Sequence, residues 1–139
     1  MAFWTRNNLN KALESKITQK LEVDDLVINS SKCVKNCLFI PIKGQNFDGH
    51  DYILDAFKNG AIVSLVENKN LQKIVKLIPD GKFLIPVKDS IEAIQKLARF
   101  SRKVSKKLKV ICITGSTGKT TIKEWLRQTI SSKFKIHYN

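Results

Sequence analysis

Apolar residues recur along this chain in short blocks whose spacing switches between the period of a helix and that of a strand. Leu9 and Leu13, four apart within Asn8 to Ser15, predict a short helix, and a polar stretch to Asp25 follows it. Cys37-Leu38-Phe39-Ile40-Pro41-Ile42 is an unbroken apolar run of strand length ending before Lys43-Gly44. Pro41 lacks an amide proton for a ladder, which points to a sheet edge or a strand end. Turn formers fill Gly44 to His50, after which Ile53, Ala56 and Phe57 share a helical face that closes at Asn59-Gly60. Ala61 to Val66 reads as a buried strand. Leu71, Ile74, Val75 and Ile78 repeat at helical intervals, Pro79-Asp80-Gly81 closes that helix, and Phe83-Leu84-Ile85 resumes a strand. Strands alternating with helices predict a small α/β domain over residues 1–87 with a parallel or mixed sheet.

The pattern changes after residue 87. Asp89-Ser90-Ile91-Glu92 has the spacing of a capping box and opens a helix with Ile91, Ile94, Leu97 and Ala98 inward. A basic linker leads to Lys109-Val110-Ile111-Cys112-Ile113-Thr114, a continuous apolar run like those buried on both faces of a parallel sheet. It runs into a glycine loop, then into a helix whose buried face is marked by Ile122, Trp125, Leu126, Thr129 and Ile130, and Phe134-Lys135-Ile136 begins one more strand. These elements are too few to enclose a core. Residues 88–139 therefore read as the beginning of a second, parallel-sheet domain.

The glycine loop carries the clearest chemistry. Gly115-Ser116-Thr117-Gly118-Lys119-Thr120-Thr121 matches the second half of the phosphate loop G-x-x-x-x-G-K-[ST], with Ile113 where the first glycine would stand, and its setting between strand and helix is the required one. Gly115 and Gly118 let the backbone approach phosphate oxygens, while successive N–H groups and the positive end of the helix dipole face the anion. Lys119 supplies an ammonium for the β- and γ-phosphates, the Thr120 hydroxyl is placed to ligate Mg²⁺, and Thr121 adds a hydrogen bond. ATP and Mg²⁺ are the expected cofactors. A lysine in the first turn of an ordinary helix is disfavoured by the dipole, and a bound anion removes that objection. GTP use would call for Asn-Lys-x-Asp, and Asn68-Lys69-Asn70 lacks the Asp and precedes the loop.

Composition narrows the class. At 42% hydrophobic and 27% charged the chain is globular, and no run approaches the roughly 18 apolar residues of a membrane span. Met1 to Arg6 shows no secretory signal, so the expected compartment is the cytoplasm, where the odd set of Cys33, Cys37 and Cys112 reads as reduced structural thiols. The formal charge of +13 is uneven: residues 1–81 hold 11 Lys and Arg against 9 Asp and Glu, residues 82–139 hold 14 against 3. Arg99, Arg102, Lys103, Lys106, Lys107 and Lys109 form one cluster, read as a solvated helix end and linker. A nucleic-acid role would add exposed aromatics for stacking or a recognisable reading motif, and neither interleaves here, so no nucleic-acid partner is expected.

With loop, strand and preceding domain assembled, the chain resembles the Mur ligases, the ATP-dependent enzymes that add amino acids to the peptidoglycan precursor. That family's loop has the form T-G-x-x-G-K-T-[TS], here Thr114 to Thr121. Phe47-Asp48-Gly49-His50-Asp51-Tyr52-Ile53, Asn59-Gly60-Ala61 and Lys123-Glu124 are similar to the branch that adds D-alanyl-D-alanine to UDP-N-acetylmuramoyl-tripeptide. A sister branch adding the third residue shares the first domain but usually has more threonines after the loop and no Lys-Glu pair. The resemblance implies an N-terminal domain, residues 1–87, that binds the UDP-precursor, and the beginning of a central ATP-binding domain, residues 88–139, in a longer ligase that is monomeric when complete. It implies precursor contacts at Ser30, Gly44, Asp48, Gly49 and His50, with Lys119 catalytic. The family's Asp-Ser-Arg is replaced here by Asn29-Ser30-Ser31, so the arginine is absent. It also implies that this portion is inactive alone, the remaining magnesium ligands and the amine site lying in later parts of the ligase.

Overall fold

A computed structural model describes residues 3–137. Met1, Ala2, Tyr138 and Asn139, on which the signal reading and the ends of the domain ranges fall, lie outside the described residues. The chain forms two compact units, Met1–Lys106 and Lys107–Asn139.

In the first unit, β1 (Trp4–Thr5) pairs antiparallel with β2 (Glu22–Val23) around helix α1 (Arg6–Leu13). Thr5 caps α1 through its side chain, and Glu14 ends it in the left-handed conformation. The main sheet has four parallel strands in sequential order: β3 (Asp25–Val27), β4 (Cys37–Phe39), β5 (Ala61–Glu67) and β6 (Phe83–Val87). Helices α2 (Ile53–Lys58), α3 (Asn68–Ile74) and α4 (Ser90–Val104) connect or follow these strands.

Strand alternation divides the apolar residues between two cores. Leu38, Ile40, Val63, Leu65 and Ile85 pack with Trp4, Leu9, Val23, Ala93 and Leu97 on one side. Cys37, Phe39 and Val66 pack with Cys33, Ile53, Ala56, Phe57 and Ile74 on the other. Ala61 and Val63 have the same parity yet join opposite cores, because the register steps from Cys37↔Ala61 to Leu38↔Val63 and leaves Ile62 extra. Such a bulge reverses the facing of everything beyond it.

Several expectations change. β2 lies in the stretch read as polar, and β1 and β3 lie where no element was expected, all three being too short to show a period. β4 is interior, so Pro41 marks a strand end and not a sheet edge. α3 stops at Ile74 and Val75 is exposed, the chain turning before Pro79. On α4 the inward residues are Ala93 and Leu97, with Ile94 and Phe100 partly buried, while Ile91 and Ala98 are exposed. Trp4 and Phe100 bring their rings to 6.2 Å, so α4 packs within the first compact unit, which runs to Lys106.

In the second unit, α5 (Lys119–Ile130) forms as expected, but none of its residues is buried. Neither 109–114 nor 134–136 is a strand. A strand is held by its ladder, and neither segment has a pairing partner among the described residues. No helix among the described residues is long and apolar enough to cross a membrane.

Candidate functional site

All four strands of the main sheet are parallel, so their C-terminal ends open on one edge, the edge where open α/β sheets receive ligands. Ser30 follows β3, while Gly44, Asp48, Gly49 and His50 follow β4. The five precursor candidates therefore occupy two loops that leave the same edge. Ser30 opens a short 3₁₀ helix, Ser30–Lys32, and its carbonyl accepts from the Asn59 side-chain amide at 3.0 Å. Ser31, where the family has arginine, donates its hydroxyl to Asn29 Oδ1 at 2.8 Å.

The second loop is a tight hairpin. Lys43 and Asp48 form an antiparallel bridge, the Gly44 N–H donates to the Phe47 carbonyl at 2.9 Å, and the Gly49 N–H donates to the Ile42 carbonyl at 3.1 Å. A Cβ on Gly49 would stand 2.6 Å from the Ile42 nitrogen and 2.7 Å from its oxygen, so only glycine lets these backbones meet. Phe47 stays 58% exposed at the tip.

Asp48 caps the following 3₁₀ turn, Gly49–Tyr52, accepting the His50 N–H at 2.9 Å. The same Oδ1 lies 2.6 Å from His50 Nδ1, and His50 Nε2 accepts the Glu67 N–H at 3.1 Å. An imidazole nitrogen that accepts carries no proton, so the proton is on Nδ1 and is donated to Asp48. Burial pushes the Asp48 carboxyl up, but the backbone and side-chain hydrogen bonds from His50 and the charge of Lys43 outweigh it and hold the carboxyl below its ordinary range.

Sequence reasoning missed Glu67. It is a buried carboxylate at the end of β5, accepting the Ser90 N–H at 3.3 Å and pairing with Lys69 at 2.6 Å. Burial raises its pKa, while the Lys69 and Ser90 hydrogen bonds and the charge of Lys69 bring it below the usual value. The available signal was one acidic residue closing an apolar run, where the expected strand stopped at Val66.

In the second unit, Gly118 adopts φ 77° and ψ −2° as the residue capping α5, and no side chain caps the helix there. The first-turn N–H groups thus lack a side-chain acceptor. Gly115 has φ 151°, and residues 114–121 are exposed. Lys119 folds its ammonium back onto the carbonyls of Gly115 and Ser116, the latter at 3.3 Å. Thr120 and Thr121 stand in the first turn of α5. The uncapped amides, the glycine at positive φ and an ammonium held by two backbone carbonyls fit a phosphate chain. No group of three or more His, Cys, Asp or Glu among the described residues could hold a metal, so Mg²⁺ here would rely on Thr120 and phosphate oxygens.

Cys33 and Cys37 are buried, and the Cys33 thiol is pushed up to about 12 by burial and by its neighbour Cys37. Cys112 is exposed, which corrects its reading as structural. The cluster from Arg99 to Lys109 is solvent-exposed along the end of α4 and the following coil, as its charge suggested.

A family model described as Mur ligase family, catalytic domain, matches residues 22–116. The UDP-N-acetylmuramoyl-tripeptide–D-alanyl-D-alanine ligase of Rickettsia prowazekii is 39% identical over 133 residues, covering 96% of this chain and 28% of that protein. The UDP-N-acetylmuramoyl-L-alanyl-D-glutamate–2,6-diaminopimelate ligase 2 of Clostridium acetobutylicum is 31% identical over 81% of this chain and 22% of its own length. Among solved structures, MurF from Acinetobacter baumannii superposes with a TM-score of 0.74 at 29% identity, covering 94% of this chain and 28% of that one. MurF of Thermotoga maritima in complex with ADP gives 0.59 at 32% identity, covering 78% and 23%. The chain thus spans less than a third of the length of these relatives.

Proposed function

We propose that this chain, which belongs to the Mur ligase family, supplies the UDP-precursor-binding edge and the phosphate loop of an ATP-dependent ligase that joins D-alanyl-D-alanine to UDP-N-acetylmuramoyl-tripeptide. The observation that carries the reading is the 39% identity to the Rickettsia prowazekii D-alanyl-D-alanine ligase over 96% of the chain. The geometry supports it, since Phe47 to Ile53, one of the segments similar to that branch, follows β4 at the ligand-receiving edge of the sheet and the loop at Gly115 to Thr121 has the features of a phosphate cradle.

ATP, when bound, supplies the phosphoryl group that turns the tripeptide carboxylate into an acyl phosphate with release of ADP, after which the dipeptide amine displaces phosphate and loses a proton to form the amide. Catalysis of this kind is positioning and charge neutralisation. Lys119 exchanges its two carbonyl partners for phosphate oxygens and offsets charge on the transferring group, which makes it the catalytic residue of this portion. Thr120 would hold Mg²⁺ through its hydroxyl, and the N–H groups of 115–121 would orient the phosphates. At the sheet edge, Ser30, Gly44, Asp48 and Gly49 present the loops that hold the UDP-precursor.

The test is ligation by the enzyme that contains these residues, followed by mass spectrometry of the UDP-precursor. Addition of D-alanyl-D-alanine to the tripeptide with one ADP per product supports the reading. Addition of a single amino acid to UDP-N-acetylmuramoyl-L-alanyl-D-glutamate would replace it with the third-residue activity.

A further inference from the structure

His50 is the precursor candidate whose side chain is committed twice to the protein. Its side chain is only 3% exposed, Nε2 accepts the Glu67 N–H, and Nδ1 faces Asp48 Oδ1 at 2.6 Å. Both ring nitrogens are therefore spent within the fold. Asp48, by contrast, keeps 29% of its side chain exposed while its neighbours Gly44 and Gly49 hold the hairpin closed. The anchor beneath the ring is itself fixed, because Glu67 ends β5 and its carboxylate accepts the first N–H of α4 at Ser90 and pairs with Lys69. A continuous chain of bonds thus runs from α4 through Glu67 and His50 to Asp48 and the loop tip.

We propose that His50 is a positioning residue that clamps Asp48 and the Gly44–Gly49 hairpin to the end of β5, holding the loop ready for the UDP-precursor without touching it. The proposal rests on the reading of this sheet edge as the precursor site. A histidine that only stabilised the fold would leave the affinity of the folded protein unchanged. One that touched the ligand would act independently of Asp48 and would feel ligand at its ring.

The experiment titrates the whole chain with UDP-N-acetylmuramoyl-tripeptide by calorimetry. It compares wild type, His50→Ala, His50→Asn, Asp48→Ala and the double alanine variant, each checked for folding by circular dichroism. Long-range ¹H–¹⁵N spectra read the His50 ring before and after ligand. Expected are a roughly tenfold loss of affinity in His50→Ala, the size of one charge-assisted hydrogen bond, no further loss on adding that change to Asp48→Ala, and partial recovery in His50→Asn, whose amide can still donate to Asp48. The ring should show the Nδ1–H form in both states. Additive losses, a ring that changes form with ligand, or unchanged affinity in a folded His50 variant would each overturn the proposal. Should His50→Ala not fold, His50→Asn and the ring spectra decide alone. Absence of binding by the wild type would overturn the sheet-edge reading itself, and is recognised because it precedes any comparison of variants.

Discussion

The ammonium of Lys119 lies 3.3 Å from the carbonyl oxygen of Ser116 and also bonds the Gly115 carbonyl, inside a loop whose following helix has no side-chain cap. Neutral carbonyls are weak partners for a cation compared with phosphate oxygens. Lys119→Ala should therefore weaken Mg²⁺–ADP binding about ten- to a hundredfold, from the 1.5–3 kcal/mol typical of hydrogen bonds to charged groups. Calorimetry on the chain reads this, with UDP-precursor affinity unchanged as the internal control.

Gly49→Ala would drive a methyl to within 2.7 Å of both the nitrogen and the oxygen of Ile42, in backbone that cannot swing aside as a side chain can. The expected cost is about 1–3 kcal/mol, the range seen when a packed region is overfilled. Urea unfolding followed by circular dichroism should show a lower midpoint, and precursor affinity should fall with it. Gly81→Ala is the contrast, since its Cβ would meet nothing within 4 Å and only the strain of its φ of 76° remains.

Acid should loosen the first unit through Asp48 and Glu67. Their folded-state values are depressed below the ordinary 3.8 and 4.5, despite burial, by His50 for Asp48 and by Lys69 and Ser90 for Glu67. A depressed carboxyl contributes stability that is complete above its unfolded pKa and disappears as pH falls through the folded one. Thermal unfolding followed between about pH 6 and 3 should thus show a falling midpoint below about pH 5. Asp48→Asn should flatten that fall.

Asp89 accepts the Glu92 N–H at 2.8 Å and starts α4, whose Leu97 is fully buried in the first unit. Asp89→Ala should cost about 1 kcal/mol, the usual loss on removing such a cap. The loss should appear in the thermal midpoint of the first unit, since α4 packs there. Ile91→Ser, on the exposed side of the same helix, should change it little.

How far the sequence could be read follows from the physics of each element. The runs Cys37–Ile42 and Ala61–Val66 and the face of Ile53, Ala56 and Phe57 were legible because burial on a sheet or helix imposes a period long enough to count. β1 to β3, of two or three residues each, impose none. The loop Gly115 to Thr121 stands out in the sequence because glycine, lysine and threonine each have a separate chemical reason to stand there, and the turn into α5 that it marks is present. The strand expected before it depends on a ladder partner, which spacing within one segment cannot report. On α4, Ile91, Ile94 and Ala98 keep a helical spacing as regular as that of Ala93, Leu97 and Phe100, so spacing alone does not say which face turns inward. Glu67 stayed hidden because its role is a tertiary one: its N–H meets a histidine seventeen positions earlier and its carboxylate a helix start twenty-three positions later.

Amide-resolved NMR titration of the 139-residue chain decides whether it carries two ligand sites, a precursor edge and a phosphate loop. UDP-N-acetylmuramoyl-tripeptide should shift the amides of Ser30, Gly44, Asp48 and Gly49, and Mg²⁺–ADP should shift those of Gly115 to Thr121, each set answering to its own ligand. A precursor that leaves the sheet-edge amides unmoved, or ADP that leaves the glycine loop unmoved at millimolar concentration, would contradict the two-site reading.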